Sequence, residues 1–420
     1  MNGTKKTIAR VALASAAIAG TAAAAPPAAK QVVTGPVATY WISAQTTSGM
    51  TMGGGAPSMA SMMGMARGGN VNKSLVLQLG SARKPTGEAS AEHLPPSVLR
   101  AGPSLPLVTP RAQPRVDTRE EPGPPEGYEK PRGKMLIFWG CGERARPGQP
   151  LVFDFAKMAS GQMPAGYAQM MNSLQVSAMQ PPSPTRNATY GEWPNEKTRT
   201  QVPGDGSLIG QHTIRGNYSP QIQFAMSQGQ DFLPPVTMTA NRRNPTGSFQ
   251  LGWQPVAGAT GYIASTMGGA DETIVLWSSS EVQSLLFALP DYLRPADVQR
   301  LLANKALMQP SQTSCTVPKE VIDAAPQSMY QFVAYGGEAN FTYPARPQDP
   351  KVPWNIEWTV KVRYRSATGG ILGMENPYGG MGGDDDEGAP ADGAAPGEKP
   401  KKPKARDLLR GLGVPIPGGL

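Results

Sequence analysis

The chain has 420 residues and a formal net charge of +8, and Gly and Pro occupy more than a fifth of its positions while aromatic residues occupy 7%. This length suits two or three domains, and this composition indicates that a sizeable part of the chain is loop or disordered. The positive charge is too weak and too scattered for a nucleic-acid-binding protein, so we expect no nucleic-acid partner.

Residues 1–24 have the features of a cleaved signal peptide. Lys5, Lys6 and Arg10 precede an uncharged run of apolar and small residues, which ends in the small-x-small pattern of Ala22 and Ala24. The run is too short for a membrane anchor, and no later stretch approaches spanning length. We therefore predict a periplasmic or secreted protein with no transmembrane segment in the mature chain.

Residues 25–109 form a β-rich N-terminal region. One or two strands are predicted at 31–43 and another at 73–79, where Leu75, Leu77 and Leu79 alternate on one face. Between them lies a Gly- and Met-rich loop, residues 49–70, in which the methionines are Met50, Met52, Met59, Met62, Met63 and Met65. Thioether sulfur is a soft ligand that suits Cu(I), whereas methionine is also an adaptable residue for contact surfaces. We expect a partner-contact or low-complexity loop and keep a copper site as the alternative.

A Pro-rich linker, residues 110–133, precedes a second β-rich region at 134–243. Proline fixes φ and removes a hydrogen-bond donor, so we expect the linker to be extended. Strands are predicted at 134–139, 150–155, 208–214, 219–226 and 232–239, with a short helix within 156–176. Residues 181–205 have the composition of a loop.

The chain contains two cysteines, Cys141 and Cys315. In an oxidising compartment an even pair is a candidate disulfide, and the alternative is two buried free thiols. The bond would close a loop of about 175 residues and stabilise the fold by up to about 5 kcal/mol. It would also fasten the middle region to the region that follows.

The most distinctive stretch is 248–266, which the pattern predicts to be two strands joined by a short turn. Pro255, Gly258 and Gly261 permit the reversal, so we expect a hairpin with a buried aromatic pair across it. Phe249, Leu251 and Trp253 alternate on one strand face, and the pattern W-x-P-V-x-G-A-x-x-Y runs from Trp253 to Tyr262. This pattern resembles the B–C strand region of fibronectin type III domains, and the alternating strand from Trp358 to Tyr364 is similar to a later strand of that family. The resemblance implies a mainly β fold, with an antiparallel β-sandwich over residues 244–368. Helical spacing at 280–307 predicts a helical insertion that the family lacks.

Residues 369–420 lose all periodicity and carry an acidic run followed by a basic run, so we predict a disordered tail. Its last residues are again apolar, which is typical of a short partner-binding motif, with an unused terminus as the alternative. The candidate contact residues are Leu408, Leu409, Arg410, Leu412 and Ile416.

Catalytic signatures are absent from the sequence. Its two histidines are His93, in a predicted loop, and His212, and nothing pairs either of them with a nucleophile. No nucleophile elbow, phosphate loop or metal-binding motif occurs, so we predict a non-enzymatic protein without a cofactor.

The function predicted from these patterns is that of a cell-envelope scaffold that binds another envelope protein. A glycan- or small-ligand-binding module is one alternative, with Trp193 and Trp354 as exposed loop platforms. A copper-handling protein that uses the Met-rich loop is the other.

Overall fold

The computed structural model describes residues 30–49, 71–110, 133–172, 174, 176–198, 201–270, 272–283 and 289–374. The predicted signal peptide, the methionines of the Gly- and Met-rich loop, the interior of the Pro-rich linker and the C-terminal motif lie outside these residues. Within the described ranges, no helix combines the length and apolar character that a membrane span requires.

The fold is mainly β, as the sequence predicts. The strands are β1 (Val33–Thr34), β2 (Ala38–Gly49), β3 (Asn72–Ser81), β4 (Ala91–Leu94), β5 (Leu105–Leu107), β6 (Lys134–Trp139), β7 (Leu151–Asp154), β8 (Thr189–Trp193), β9 (Gly210–Gly216), β10 (Ile222–Met226), β11 (Met238–Arg243), β12 (Phe249–Trp253), β13 (Ala259–Ala270), β14 (Thr273–Ser278), β15 (Ser314–Val317), β16 (Ser328–Tyr343), β17 (Trp354–Asn355) and β18 (Trp358–Ile371). The helices are α1 (Phe155–Ala159), α2 (Tyr167–Asn172), α3 (Pro295–Ala303) and α4 (Lys319–Ala324), together with a 3₁₀ turn at Ser97–Leu99.

A nine-stranded sheet forms the centre of the molecule, in the order β7-β6-β14-β13-β16-β18-β2-β3-β8. Its neighbouring strands are antiparallel except for two parallel pairs, β6 with β14 and β2 with β18. The second parallel pair joins the N-terminal part of the chain to the last strand, with Ile42 opposite Val362. The sheet therefore draws strands from all three β-rich regions of the sequence.

Two smaller sheets cover one face of the nine-stranded sheet, which we call the inner face. Their strand orders are β10-β9-β4-β5 and β11-β12-β15. Period-2 alternation dictates this packing: along β18, Val360, Val362 and Tyr364 are buried, whereas Lys361 and Arg363 between them are partly exposed. The inner-face residues join side chains of both small sheets in one apolar core.

The opposite, outer face carries the helical insertion. Val298 and Leu301 of α3 pack with Val333 and Tyr335 of β16 in a second buried cluster. Pro295 occupies the first turn of α3, as its missing N–H allows. The predicted insertion at 280–307 is nevertheless too long: residues 281–283 and 289–294 are not helical, because Pro290 interrupts the apolar spacing.

The aromatic pair expected in the fibronectin-like stretch is present, but its two strands do not form a hairpin. The ring centroids of Trp253 and Tyr262 lie 5.9 Å apart at 72°. However, β12 pairs with β11 and β15, whereas β13 pairs with β14 and β16, so the chain crosses from one sheet to the other between them. Phe332 of β16 contacts both rings from the central sheet.

Tyr262→Phe tests the polar contact that fixes this crossing. The hydroxyl of Tyr262 accepts the backbone N–H of Val256 at 3.0 Å in a buried position. The substitution leaves this N–H unsatisfied, so we expect the free energy of unfolding to fall by about 1–3 kcal/mol. Urea unfolding checks this, with Tyr343→Phe as the control because the side chain of Tyr343 is half exposed. An equal effect of the two substitutions would contradict the prediction.

The predictions of a loop at 181–205 and of disorder from residue 369 are each wrong in part, because strands occupy residues in both stretches. The stretch 181–205, read as a loop, contains β8, which pairs with β3 at the edge of the central sheet. The last strand, β18, continues past residue 368 to Ile371, opposite Met329 of β16. In both cases pairing with a neighbouring strand overrides a local composition rich in Pro, Asn or Gly.

Candidate functional site

The predicted cysteine pair is at bonding distance. The Sγ atoms of Cys141 and Cys315 are 2.11 Å apart, and the Cα atoms 5.3 Å. Cys141 follows β6 of the central sheet and Cys315 lies on β15, so the bond ties two sheets together. Beside it, the N–H of Gly142 donates to Thr316 O at 2.8 Å.

The two tryptophans proposed as glycan platforms have different positions. Trp193 is 2% exposed and lies in the main core, so its prediction as an exposed platform is wrong. Its strand pairs with β3, where Trp193 lies opposite Leu77 and shares the inner face. Trp354 lies on β17 and is partly exposed.

Trp354 belongs to an apolar surface at the end of the molecule where β16 ends and β2 and β18 begin. We call it the end patch and define it by Val32, Val33, Tyr343, Val352 and Trp354. The exposed fractions of the first four are 61%, 50%, 50% and 46%. These are four of the eight large apolar side chains that are exposed in the described ranges. A concentration of this kind is typical of a contact surface.

Backbone pairing holds the end patch together. The parallel pair of β1 and β17 places Val33 beside Trp354. The N–H of Trp354 donates to Val32 O at 2.8 Å, and the side chain of Gln31 donates to Val352 O at 2.9 Å. Arg346 in turn donates to Gln31 Oε1 at 2.8 Å. Strand pairing and hydrogen bonds therefore fix the backbone that carries the exposed valines, without a partner.

Neighbouring side chains cover part of the aromatic surface of the end patch. The guanidinium of Arg346 lies 5.5 Å from the ring centroid of Trp354, and the indole N–H donates to Pro344 O at 3.0 Å. The ring of Tyr343 stacks on Trp358 with centroids 5.6 Å apart at 16°. An open row of rings for a glycan is therefore not formed here, and the aliphatic side chains supply most of the free surface.

A second constellation lies in the core and joins the two histidines. His93 is on β4, not in the predicted loop, and its Nε2 is 2.9 Å from Nδ1 of His212 on β9. Nδ1 of His93 is 2.9 Å from the hydroxyl of Tyr40 on β2, and Nε2 of His212 is 2.7 Å from Leu208 O. Phe224 stacks on the ring of His212 with centroids 5.0 Å apart.

The hydrogen bonds and the lowered pKa values together assign both imidazoles to the neutral Nε2–H tautomer. Leu208 O can only accept, so His212 Nε2–H donates to it; His212 Nδ1 then accepts from His93 Nε2–H, and His93 Nδ1 accepts from Tyr40 O–H. Burial lowers the pKa of His93 well below its ordinary value, with His212 adding to the shift. Burial also lowers the pKa of His212. The chain of bonds is thus a polar joint between the central sheet and a small sheet. Each imidazole nitrogen in it already has a hydrogen-bond partner.

Sequence reasoning missed both constellations. His93 and His212 are 119 positions apart, so no local pattern connects them. The end patch combines residues 32–33 with 343–354, and no sequence signal says that these stay uncovered. The one available hint is the alternation of apolar residues and prolines in 343–354, which is typical of an ordered surface loop.

The predicted copper ligands, Met50 to Met65, and the predicted tail contacts, Leu408 to Ile416, lie outside the described residues. In the ranges that are described, no group of three or more His, Cys, Asp or Glu side chains is placed to hold a metal ion. No protein-family model, curated protein or solved structure matches the chain. A function has to rest on the residues of the chain and their geometry.

Proposed function

We propose that this chain is a non-enzymatic scaffold of the cell envelope, periplasmic or secreted, that binds a protein partner through the end patch. The observation that carries the proposal is the clustering of exposed Val32, Val33, Tyr343 and Val352 on one ordered frame. Exposed apolar surface of this kind is stabilised by burial against a partner.

The fold of residues 238–371 supports a fibronectin type III-like sandwich as the body of the scaffold. The resemblance assigns β12 and β13 to strands B and C of the family. In a sandwich of this architecture strands B and C belong to opposite sheets. The strand pairing supports the assignment, since β12 lies in the three-stranded sheet and β13 in the central one.

The cysteine pair supports a location outside the cytosol. Bonded pairs persist in oxidising compartments and are rare where thiols are kept reduced. Cys141 and Cys315 lie at bonding distance, and they are the two cysteines of the chain. This is consistent with export directed by residues 1–24.

The end patch and the C-terminal end of β18 lie at opposite ends of the body. Tyr343 and Trp358 lie at one end of their strand pair, and Ile371, at the other end of β18, lies opposite Met329. Fourteen residues of β18 separate these ends by about 45 Å. The end patch and Leu408–Ile416 share no residues, so point substitution in the patch and truncation at residue 374 test the two contact regions separately.

The decisive experiment compares four baits in affinity capture from the native envelope. They are the mature chain 25–420, the chain 25–374, the patch variant Val33→Ser/Val352→Ser, and the control Val98→Ser. Val98 is 48% exposed on the 3₁₀ turn and lies outside the end patch, so it matches the patch valines in chemistry and exposure.

We expect the mature chain, 25–374 and the Val98→Ser control to retain one common protein and the patch variant to lose it. Because the replaced side chains are exposed, the free energy of unfolding should change by less than about 0.5 kcal/mol per substitution, which urea unfolding verifies. Loss of the protein from 25–374 alone would move the binding site to the tail. Capture of the same set by all four baits would refute the role of the end patch.

A further inference from the structure

The outer face of β18 carries three cations at alternate positions, Lys361, Arg363 and Arg365. Two of them are paired with acids: Lys361 with Glu338 of β16, and Arg365 with Asp291. Arg363 has no carboxylate partner among the residues that the structure describes. The three cations and two acids of this group therefore leave one positive charge without an acidic partner, which is that of Arg363.

The guanidinium of Arg363 is held between two aromatic rings. Its Cζ atom is 5.0 Å from the ring centroid of Trp41 and 4.3 Å from that of Tyr292. Its Nε donates to the hydroxyl of Ser43 on β2 at 2.7 Å. These three contacts fix the plane and the direction of the guanidinium, which leaves little freedom to lose when a ligand binds.

The terminal amino groups of Arg363 remain available. Neither Nη1 nor Nη2 bonds to an acceptor in the described ranges, and neither is among the buried polar atoms without a partner. Both Nη groups therefore keep some solvent contact, although Arg363 as a whole is only partly exposed. A guanidinium fork with both Nη groups free matches the two oxygens of a carboxylate.

Arg363 is a partly desolvated cation, and the two carboxylates near it are already paired with Lys361 and Arg365. Burial lowers the pKa of its guanidinium, and Tyr292, Asp291 and Glu338 oppose that shift. A partly desolvated cation without a counter-ion is stabilised by an anion more than an exposed cation is. Directly beside it, Nε of the buried Arg365 is without a hydrogen-bond partner.

We propose that Arg363 is a binding site for the carboxylate group of a small monoanionic ligand, which it would hold through Nη1 and Nη2. A single negative charge balances the single unneutralised cation. A doubly charged phosphate would bring excess negative charge close to Asp291 and Glu338, so it fits the site less well. This site is separate from the end patch and does not depend on the proposed scaffold function.

The test uses the mature chain with ¹⁵N-labelled arginine and follows the Nε–Hε resonances by NMR. The resonance that disappears in Arg363→Lys belongs to Arg363. The probes are acetate, D-glucuronate, D-glucose and inorganic phosphate, at constant pH and ionic strength because exposed electrostatic contacts are screened by salt.

We expect the Arg363 resonance to shift saturably with acetate and glucuronate but not with glucose. Arg363→Lys keeps the charge but loses the fork, so the Kd of the carboxylates, followed by the neighbouring Arg365 resonance, should rise by about tenfold or more. Arg242→Lys, an exposed arginine on β11, is the matched control and should leave the Kd unchanged. Binding of glucuronate without acetate would identify an acidic sugar as the source of the carboxylate.

Ser43→Ala gives a second, milder variant should Arg363→Lys fold poorly. It retains the guanidinium and removes the acceptor that orients it, so we expect weaker carboxylate binding. No saturable shift with either carboxylate, tighter binding of phosphate than of acetate, or an unchanged Kd in both variants would overturn the proposal.

Discussion

Reduction of the Cys141–Cys315 bond is expected to lower the free energy of unfolding by up to about 5 kcal/mol. The two residues are separated by 174 positions. In the chain-entropy account, cutting so long a loop returns much conformational freedom to the unfolded state. A loss of this size is comparable with the whole stability of many domains.

The folded state keeps other contacts at this junction after reduction. Gly142 N donates to Thr316 O, and Lys319 N donates to Glu143 O at 3.0 Å. The carboxylate of Glu320 also accepts the N–H of Ala145 at 2.8 Å. We therefore expect the reduced protein to fold with the same strand pairing but with lower stability.

Urea unfolding with and without a phosphine reductant measures the effect. The Cys141→Ser/Cys315→Ser variant is the control, since its midpoint should match that of the reduced protein and should not respond to the reductant. An oxidised protein whose unfolding midpoint is unchanged by the reductant would show that the bond contributes nothing. A variant that still responds would show that the reductant acts elsewhere.

Local periodicity predicted which residues are buried, but it did not predict the partners of each strand. The alternation from Trp358 to Tyr364 identified one buried face, and that face does pack on the core. It contained no sign that β2, more than three hundred positions away, would pair with β18 in parallel. Parallel pairing of distant strands depends on global topology, and a one-dimensional pattern does not contain it.

The same limit explains the errors at Trp193 and at the fibronectin-like stretch. The stretch that contains Trp193 has the Pro- and Asn-rich composition of a loop, yet a five-residue strand there completes an edge of the central sheet. Pro255 and Gly258 were read as a hairpin turn, yet they carry the chain between sheets, since both structures need a reversal of direction. In each case the local sequence is compatible with two structures, and pairing with distant strands determines which of them forms.

The candidate sites were less predictable than the fold. The cysteine pair was predicted because a chain with two cysteines allows only one intramolecular pairing. Arg363 lay in a recognised strand, but the rings that orient it come from residues 41 and 292. Sites assembled from distant segments have no local signature, and that is equally true of the end patch.

Acidification from pH 7 to pH 5 is expected to destabilise the protein through His93 and His212. Burial lowers the pKa of both imidazoles in the folded state, whereas in the unfolded chain each has the ordinary value of 6.5. Below that value the unfolded state binds more protons than the folded state. The contribution of the two histidines to the free energy of unfolding is therefore fully present above pH 6.5. It is lost as the pH falls toward their pKa values in the folded state.

The structural reason is that protonation leaves two donors facing each other. His93 Nε2–H points at His212 Nδ1, which must accept, and no carboxylate lies within the chain of bonds to stabilise a positive charge. The groups packed around the pair are Tyr40, Phe224 and, near Tyr40, Tyr218. The slope of stability against pH should approach at most about 1.4 kcal/mol per pH unit for each histidine.

Urea unfolding at intervals between pH 7 and pH 5 isolates this effect, because His93 and His212 are the two histidines of the chain. Among the described residues, the lowered carboxyl pKa values of Glu92 and Glu320 contribute stability that is lost only below about pH 4.5. The variant His93→Gln/His212→Gln should be less stable at pH 7 and nearly independent of pH in this window. If the wild-type profile were flat, or if the variant kept the same slope, the joint between the sheets would not be the acid-sensitive element. A steep wild-type profile beside a flat variant would show that acid destabilises the fold through the two histidines between the central sheet and the small sheet of β4, β5, β9 and β10.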